Sequence, residues 1–556
     1  MIITIIIWIY MLIASYILGF EFISEAKRVN GQTDAEYKNV CYILTGIGIL
    51  TVYSEFFSLF YKVGLTANIV LIVLLILAAF KNASAMKENL ENSIKAVDIK
   101  LLCATAVVFI LFAYATSHGY MHYDSDLYHA QSIRWIEEYG VVKGLGNLHT
   151  RLAYNSAAFC LTALFSGSFI LGQSYHVCAG FLAFILAVIV LDLFTKKKLI
   201  KPYMSGLARV VAVYYLLNVF DEIVSPASDY FMVLMTLSTV ILYLDLVEEK
   251  SIDATGYALL SLFSLIIISF KISGAWMVLI CIYPAYLLIK DKNIKSIVFY
   301  VLSGFIFMLP LFIRNIILSG YLVYPAAGLD LFSFDFKIPK GVAEYDAKEI
   351  EVYGRGYSDV GRFDEGMNVW IKDWFTSLGA VDKASFVLSV LSLIALVTAI
   401  VYAVKKRKDL MSEVLLILTV SISFVFWFMT SPNIRYGCVF LYLTFVMNFG
   451  FVLVNMTKER PKHYVYTAIL GLFFLYKAVF FVKENVNNFT TDYILRQQDY
   501  GKYEAEVFKM GDTVFYNPKE GDRIGYDHFP SAPIPPEPSV LMMGDTLKDG
   551  FINTNK

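Results

Sequence analysis

Charge is scarce in this sequence. Aspartate, glutamate, lysine and arginine supply 17% of the 556 residues, apolar residues supply 58%, and mean hydropathy is +0.61. So few charges cannot cover a soluble surface of this size, which excludes an ordinary soluble enzyme. Neither sign is in excess. The formal net charge is −1, so the charge balance carries no footprint for nucleic acid. Cysteine is sparse and scattered. The six (Cys41, Cys103, Cys160, Cys178, Cys281 and Cys438) form no CxxC or CxxH pair, which argues against a disulfide framework or a zinc site. The opening run MIITIIIWIYMLIASYILGF lacks a basic n-region and a small-residue cleavage site, so it reads as a retained helix. Internal repeats and low-complexity tracts are absent too.

What the chain has is long apolar runs. A membrane span needs about 20 mostly apolar residues. Such runs lie near 1–22, 41–61, 64–80, 101–117, 174–194, 205–220, 229–247, 255–270, 272–289, 296–313, 384–404, 412–430, 436–456 and 464–482. They predict an all-α polytopic membrane protein with a bundle of about 12–14 transmembrane helices.

Charge then sets the orientation. Basic residues gather in alternate loops: Lys27, Arg28 and Lys38; Lys81, Lys87, Lys95 and Lys100; Lys196, Lys197, Lys198 and Lys201; Lys290, Lys292 and Lys295; Lys405, Lys406, Arg407 and Lys408; Lys458, Arg460 and Lys462. The positive-inside rule puts these loops in the cytoplasm. Segments 118–173, 314–383 and 483–556 then fall outside, as do both termini. The expected division is a transmembrane domain over 1–482 and an extracytoplasmic C-terminal segment over 483–556. The run 152–172 is apolar enough to span, but counting it would put the lysines at 196–198 outside. It therefore reads as a helix lying on or dipping into the outer leaflet. A second interfacial helix is expected near 127–139. It would start after an N-cap at Ser125 or Asp126, present Tyr128, Trp135, Ile136 and Tyr139 on one side, and stop at Gly140. The Gly- and Pro-rich stretch GDRIGYDHFPSAPIPPEP predicts turns and short strands packed on the outer face.

The chemistry-bearing stretch is His122-Tyr-Asp-Ser-Asp-Leu-Tyr-His129, just past an apolar run. In extended chain, residues two apart point the same way, so Asp124 and Asp126 can share an acid–base site. The same spacing also suits a solvated Asp124 beside a capping Asp126. Several basic residues run against the positive-inside trend: Lys271, Arg314 and Arg435 beside spans, and Lys143 and Arg151 in the first outer loop. A lone cation at that depth needs an anion, either a substrate phosphate or a phospholipid headgroup reached by snorkelling. Five of the seven histidines (His118, His122, His129, His149 and His176) fall in or beside the first outer loop. They suit hydrogen bonding at the interface or metal ligation; His118 and His122 are four apart, but the segment leaves its helix there, so the spacing does not support a metal. Asp221, Glu222 and Asp229 cluster in another outer loop, where Asp229 either faces the same cavity or simply ends a helix.

Taken together, a span, a short outer loop opening with Tyr-Asp-x-x-x-Tyr-His, two interfacial helices and many further spans resemble the GT-C superfamily of polytopic glycosyltransferases. The runs HYDSDLYHAQSIRWIEEYGVVKGLGNLHTRLAYNS, RNIILSGYLVYP and SPNIRYG, with GDRIGYDHFPS and LKDGF, look like a bacterial branch of that architecture. The resemblance implies a bundle in the bacterial inner (cytoplasmic) membrane with its site facing outward. It implies a polyprenyl-phosphate or diphosphate sugar donor and a glycan, lipid or protein acceptor. Asp124 would be the base, with Asp126 as second choice and His129 beside them. Tyr123, Tyr128, His149, Lys271, Arg314 and Arg435 would bind substrate, the three cations meeting the donor phosphate. Some members use a divalent metal and others none, so no metal ligand is assigned. The chain departs from better-known members in having several spans before the motif and no large soluble C-terminal domain. A polysaccharide polymerase or ligase, and a lipid-linked-sugar transporter or flippase, are the alternative readings. A polar cavity at Asp124 favours transfer, and one at the midplane favours transport.

Overall fold

The computed structural model describes residues 1–31, 36–96, 98–195, 203–251, 253–406, 408–456 and 463–555. Lys196, Lys197, Lys198, Lys201, Arg407, Lys458, Arg460 and Lys462 of the basic loops lie outside the described residues. About 72% of the chain is helical. The helices run α1 Ile2–Asn30, α2 Asn39–Ser58, α3 Leu65–Lys81, α4 Ala83–Ala96, α5 Ile99–Ser117, α6 Ala130–Glu138, α7 Leu145–Leu148, α8 Ala157–Phe165, α9 Ser168–Leu171, α10 Cys178–Thr195 and α11 Met204–Val219. They continue with α12 Ser228–Glu248, α13 Ala254–Phe270, α14 Ile282–Lys290, α15 Ile294–Ser319, α16 Lys340–Gly354, α17 Met367–Ser377, α18 Ala380–Lys406, α19 Met411–Thr430, α20 Ile434–Phe451 and α21 His463–Asn487. A 3-10 helix, Ile272–Cys281, leads into α14.

Every apolar run read from the sequence is a helix. Among the described residues, nine are long and apolar enough to cross a membrane, or up to ten if the bent pair α3–α4 is one span. The molecule is an all-α polytopic membrane protein. Local chemistry sets the helix ends. Asp98 caps α5 by accepting from Lys100 N–H at 3.0 Å, and Asp253 caps α13 through Thr255 and Gly256. Gly31 ends α1 and Gly320 ends α15, both left-handed at φ 71° and 82°. Where α1 crosses α2, Gly19 lies against Tyr42 and Gly46 against Ser15, so closely that a Cβ on either would overlap the opposing backbone.

The loops gather on two faces. On one face Met1 donates its amine to Tyr493 O at 2.8 Å, Gln498 N–H meets Ser117 O at 2.7 Å, and Asn147 meets Phe336 O at 2.7 Å. Ser431 there donates to Ile350 O at 2.9 Å. Segments 118–173, 314–383 and 483–556 all share this long-loop face. On the opposite face Lys81 pairs with Glu21, and Lys38 with Asp192 and Asp245.

Two local expectations change. Most of the run 152–172 is not a surface helix: every residue of α8 is buried, and Ser156 holds its start by accepting from Ala158 N–H and donating to Phe270 O at 2.8 Å, while only the short α9 at its end exposes Phe169 and Ile170. The apolar side chains of α8 face protein. The helix near 127–139 is likewise covered, with Ala130–Ile133, Trp135, Ile136 and Glu137 all buried. The covering layer includes the C-terminal segment, which carries two antiparallel pairs, β1 Ala505–Met510 with β2 Thr513–Pro518 and β3 Val540–Met542 with β4 Phe551–Asn553. Trp135 meets Phe529 and Phe551, and Phe551 stacks edge-on to Phe515.

Candidate active site

Four chain segments meet at Arg435. It stands at the start of α20, behind the N-cap Asn433, which accepts from its N–H at 3.1 Å. Arg435 Nη2 donates to Asp124 Oδ2 at 2.8 Å, and its Nε lies 3.3 Å from Asp229 Oδ2. Asp229, the second residue of α12, also pairs with Lys271. Lys271 occupies the extended residue between α13 and the 3-10 helix, with its ammonium 3.9 Å from the Tyr436 ring centroid. The His122 ring closes the group. Its Nδ1 accepts from Asp124 N–H at 3.1 Å, and Arg435 Nη1 lies 3.0 Å from the same atom. Two carboxylates thus face two cations that are drawn together from distant parts of the chain.

The local fold explains why Asp124 and Asp126 part company. The chain re-enters a helix before Ser125, and Ser125–His129 is a π turn that runs into α6. On a helix, residues two apart diverge by roughly 200° around the axis, so the extended-chain reading of a shared carboxylate site fails. Asp124 faces Arg435. Asp126 points the other way: Oδ1 accepts from Gly501 N–H and Oδ2 from Tyr503 Oη, both at 2.9 Å. Its carbonyl oxygen also takes Ile524 N–H at 3.0 Å and Gly525 N–H at 2.8 Å. Asp126 is therefore no N-cap; it is the anchor for the C-terminal segment. Single π turns are common at functional sites, because the extra residue re-aims neighbouring side chains.

The two surroundings pull the acids apart. Burial works against charge on Asp124, but Arg435 and the two nearby histidines outweigh it and hold its pKa below the usual carboxylate value. Burial raises Asp126, and the hydrogen bonds from Gly501 and Tyr503 offset this only in part. Burial, assisted by Arg435, pushes His122 down to about 4. His129, enclosed behind Asp124 and 3.3 Å from Ser125 Oγ, falls to about 3 for the same leading reason. Burial keeps the His122 imidazole between Asp124 and Arg435 neutral at neutral pH.

The other predicted residues sort as follows. Tyr128 lines the cluster from one turn on, edge-on to Tyr154 at 5.8 Å. Tyr123 is exposed and donates its hydroxyl to Asp522. His149 stands apart beside Arg151, its Nδ1 buried without a hydrogen-bond partner and its pKa driven to about 3 by burial. Arg314 does not join Arg435 and Lys271. It turns into the bundle, donating to Asn155 Oδ1 at 3.0 Å and to Ser58 Oγ, and it faces the buried Glu55. Neutral partners, Asn155 and Ser58, take its donors, and among the described residues no carboxylate comes within ion-pair distance of it. The sequence left Asp229 open between cavity and helix end, and the structure puts it on both Arg435 and Lys271. Tyr436 carried no signal beyond its neighbour Arg435. Among the described residues no three His, Cys, Asp or Glu side chains are grouped to hold a metal ion. Asp124 and Asp229 already face protein cations, so this donor set does not fit a resident divalent metal.

An apolar cavity of about 330 Å³ opens between the 3-10 helix that follows Lys271 and helices α18 and α19. Trp276, Leu393, Leu396, Leu418 and Phe426 line it.

Residues 1–442 match the family model described as Domain of unknown function (DUF8201). The chain belongs to that family. The matched stretch includes His122, Asp124, Asp229, Lys271 and Arg435, and stops short of the C-terminal segment. No curated protein and no solved structure matches the chain.

Proposed function

We propose that this chain is a GT-C-type membrane glycosyltransferase. It moves a sugar from a polyprenyl-phosphate or diphosphate carrier to an acceptor hydroxyl on the extracytoplasmic side of a bacterial cytoplasmic membrane. The observation that carries the reading is the Asp124–Arg435–Asp229–Lys271 cluster at the long-loop end of the bundle. An acid able to take a proton stands there against two cations able to take a phosphate. The apolar cavity starting one 3-10 stretch beyond Lys271 suits the lipid end of such a donor.

Charge balance gives the reading a mechanism. In the resting cluster Arg435 holds Asp124 ionised but weakly basic. An arriving donor phosphate competes for Arg435 and Lys271 and adds negative charge. Both effects raise the basicity of Asp124 when an acceptor needs deprotonating. The acceptor oxygen then attacks the anomeric carbon and its proton passes to Asp124. The bond from that carbon to the phosphate oxygen breaks, and the electron pair leaves with the phosphate, neutralised by Arg435 and Lys271. A single displacement inverts the anomeric centre.

The transport alternative calls for charges near the midplane. Glu55 and Arg314 instead lie in the last two turns of α2 and α15, at the long-loop end. The test is analysis of lipid-linked sugars in cells lacking the protein, followed by reconstitution. Accumulation of one polyprenyl-linked sugar, consumed by the purified protein, supports transfer; an unchanged lipid pool rejects it. Orientation is checked separately. Cysteines placed at Lys143, Lys372 and Lys519 should react with an impermeant thiol reagent in intact cells, and protection of all three would put the cluster on the wrong side.

A further inference from the structure

Helix α4 carries an apolar stripe that runs out from under the protein. It follows α3 after a bend of 82°, so it lies across the end of that apolar helix, on the face opposite the long loops. Three side chains fix its protein side. Asn89 accepts from the Tyr16 hydroxyl at 2.9 Å, Ser93 donates to Asn39 Oδ1 at 3.4 Å, and Met86 shares a buried cluster with Phe20 and Tyr42. Leu90 and Ile94 continue from Met86 at four-residue spacing, each about 40° further round the axis. Along that stripe exposure climbs from 7% at Met86 to 43% at Leu90 and 73% at Ile94. The other flank, roughly 160° away, carries the exposed Glu88 and Asn92.

The chain on either side shows what covers the stripe. Helix α3 runs into α4 through Phe80, and α5 leaves it through Ile99 and Leu102, all three exposed. Helix α5 is long and apolar enough to cross a membrane. Uncovered apolar sides on spans face acyl chains, so the bilayer reaches both ends of α4. A helix that joins two such elements across a near right angle lies in the plane of the membrane surface, its apolar flank toward lipid. Charge is the weaker attraction. Residues 81–100 hold four lysines against three acids. Lys81 is paired with Glu21, and Lys87 lies 3.8 Å from Glu91. Little net charge is left to seek anionic headgroups, so apolar insertion dominates.

We propose that α4 is an interfacial anchor, with Leu90 and Ile94 seated at the headgroup–acyl boundary of the leaflet opposite the candidate active site. Its partner is the acyl region of phospholipid. Through Asn89, Ser93 and Met86 the anchor sets the depth of α1 and α2 in the membrane. The inference is independent of the transferase reading.

The test is fluorescence quenching on the full chain in phosphatidylcholine nanodiscs. The exposed Cys103 is changed to Ser, and Ile94→Cys or Glu88→Cys is labelled with bimane. The chain without an added cysteine supplies the background. Both positions are exposed, and each labelled chain's unfolding midpoint verifies folding; Leu90→Cys and Asn92→Cys stand in on the same flanks if either fails. Phosphatidylcholine bearing a nitroxide high on its acyl chain should quench Ile94→Cys roughly threefold or more beyond Glu88→Cys, and aqueous iodide should give the reverse order. Equal lipid quenching on the two flanks overturns the anchor. So does protection of Ile94→Cys from both quenchers, which would assign the stripe to a second copy or another protein. So does lipid quenching that appears only when phosphatidylglycerol is added, which would make headgroup charge the attraction.

Discussion

The molecule contains two clusters of the same composition, one near each face. Among the described residues each has two cations and two aspartates. On the opposite face Arg209 has no exposure and is held bidentately by Asp245 at 3.0 and 2.7 Å. Lys38 pairs with both Asp245 and Asp192. Arg209 also donates to Ile189 O and Ser205 O, so its donors are spent on α10, α11 and α12. On the long-loop face Asp124 keeps 19% of its side chain exposed, Arg435 Nε makes no hydrogen bond, and a histidine and a tyrosine stand alongside. The first cluster ties three helices together. The second holds its charges loosely enough to exchange partners. Composition does not separate a clasp from a site; saturation and access to water do.

Breaking the looser cluster should have the largest effect. Asp124→Asn keeps size and loses the proton acceptor, so transfer in a reconstituted assay should fall by about 10²–10⁴ while the unfolding midpoint hardly moves. Near-normal turnover would remove Asp124 as base. Breaking the tight cluster should do the reverse. Arg209→Met strips a buried carboxylate of its bidentate partner and should cost about 3 kcal/mol, the lower end for broken buried pairs because Lys38 still faces Asp245. Transfer per folded molecule should stay unchanged. If Arg435→Gln destabilises as much as Arg209→Met, the contrast between clasp and site collapses, since Asp124 can fall back on water.

A smaller effect belongs to the anchor. Asp126→Asn would turn an amide donor toward Tyr503 Oη or Gly501 N–H and loosen the C-terminal segment by about 1–3 kcal/mol. Hydrogen exchange should rise across 498–528, with little change elsewhere. Unchanged exchange there would mean that the anchor lies elsewhere.

The mildest test uses acid. Unfolded, His122, His129 and His149 each take up a proton as pH falls through about 6.5; folded, burial delays this to about 4, 3 and 3. Between these values the unfolded chain binds more protons, so stability rises with pH. It is full above about 6.5 and declines as pH drops toward 4. The contribution of Asp124, whose folded pKa is depressed, is present above its ordinary value and is lost only below it. His122→Gln should flatten part of the upper decline in a melting series; an unchanged slope would show that His122 is not held neutral.

Much of the fold was legible, because apolar runs of span length leave the chain little choice. The gathering of segments 118–173, 314–383 and 483–556 on one face followed from the basic loops. The amphipathic helix α4, bent 82° from α3, hid inside what read as a basic loop, and α16 and α17 lay in a segment with no apolar run to mark them. The first loop misled for one physical reason: an apolar stripe does not say whether lipid or protein will cover it, and α8 went inside. At the site, the rule that a deep cation needs an anion singled out Lys271, Arg314 and Arg435; Lys271 and Arg435 meet protein aspartates, while Arg314 donates to Asn155 and Ser58, a difference the sequence did not show. The divergence of Asp124 from Asp126 turned on one conformational choice, helix over extended chain, that eight residues of sequence left open.

The anchoring of Asp126 by Gly501, Tyr503, Ile524 and Gly525 also orders events in time. A nascent chain leaves the ribosome with its first loop long before its last segment. Throughout that interval the loop that presents Asp124 lacks the partners for its neighbour's carboxylate and carbonyl. The bundle can assemble around an unfinished centre, which is completed only when residues 498–528 dock. The Asp124 loop is therefore fully braced only as the final step of assembly, and a fragment ending before Gly501 lacks that brace.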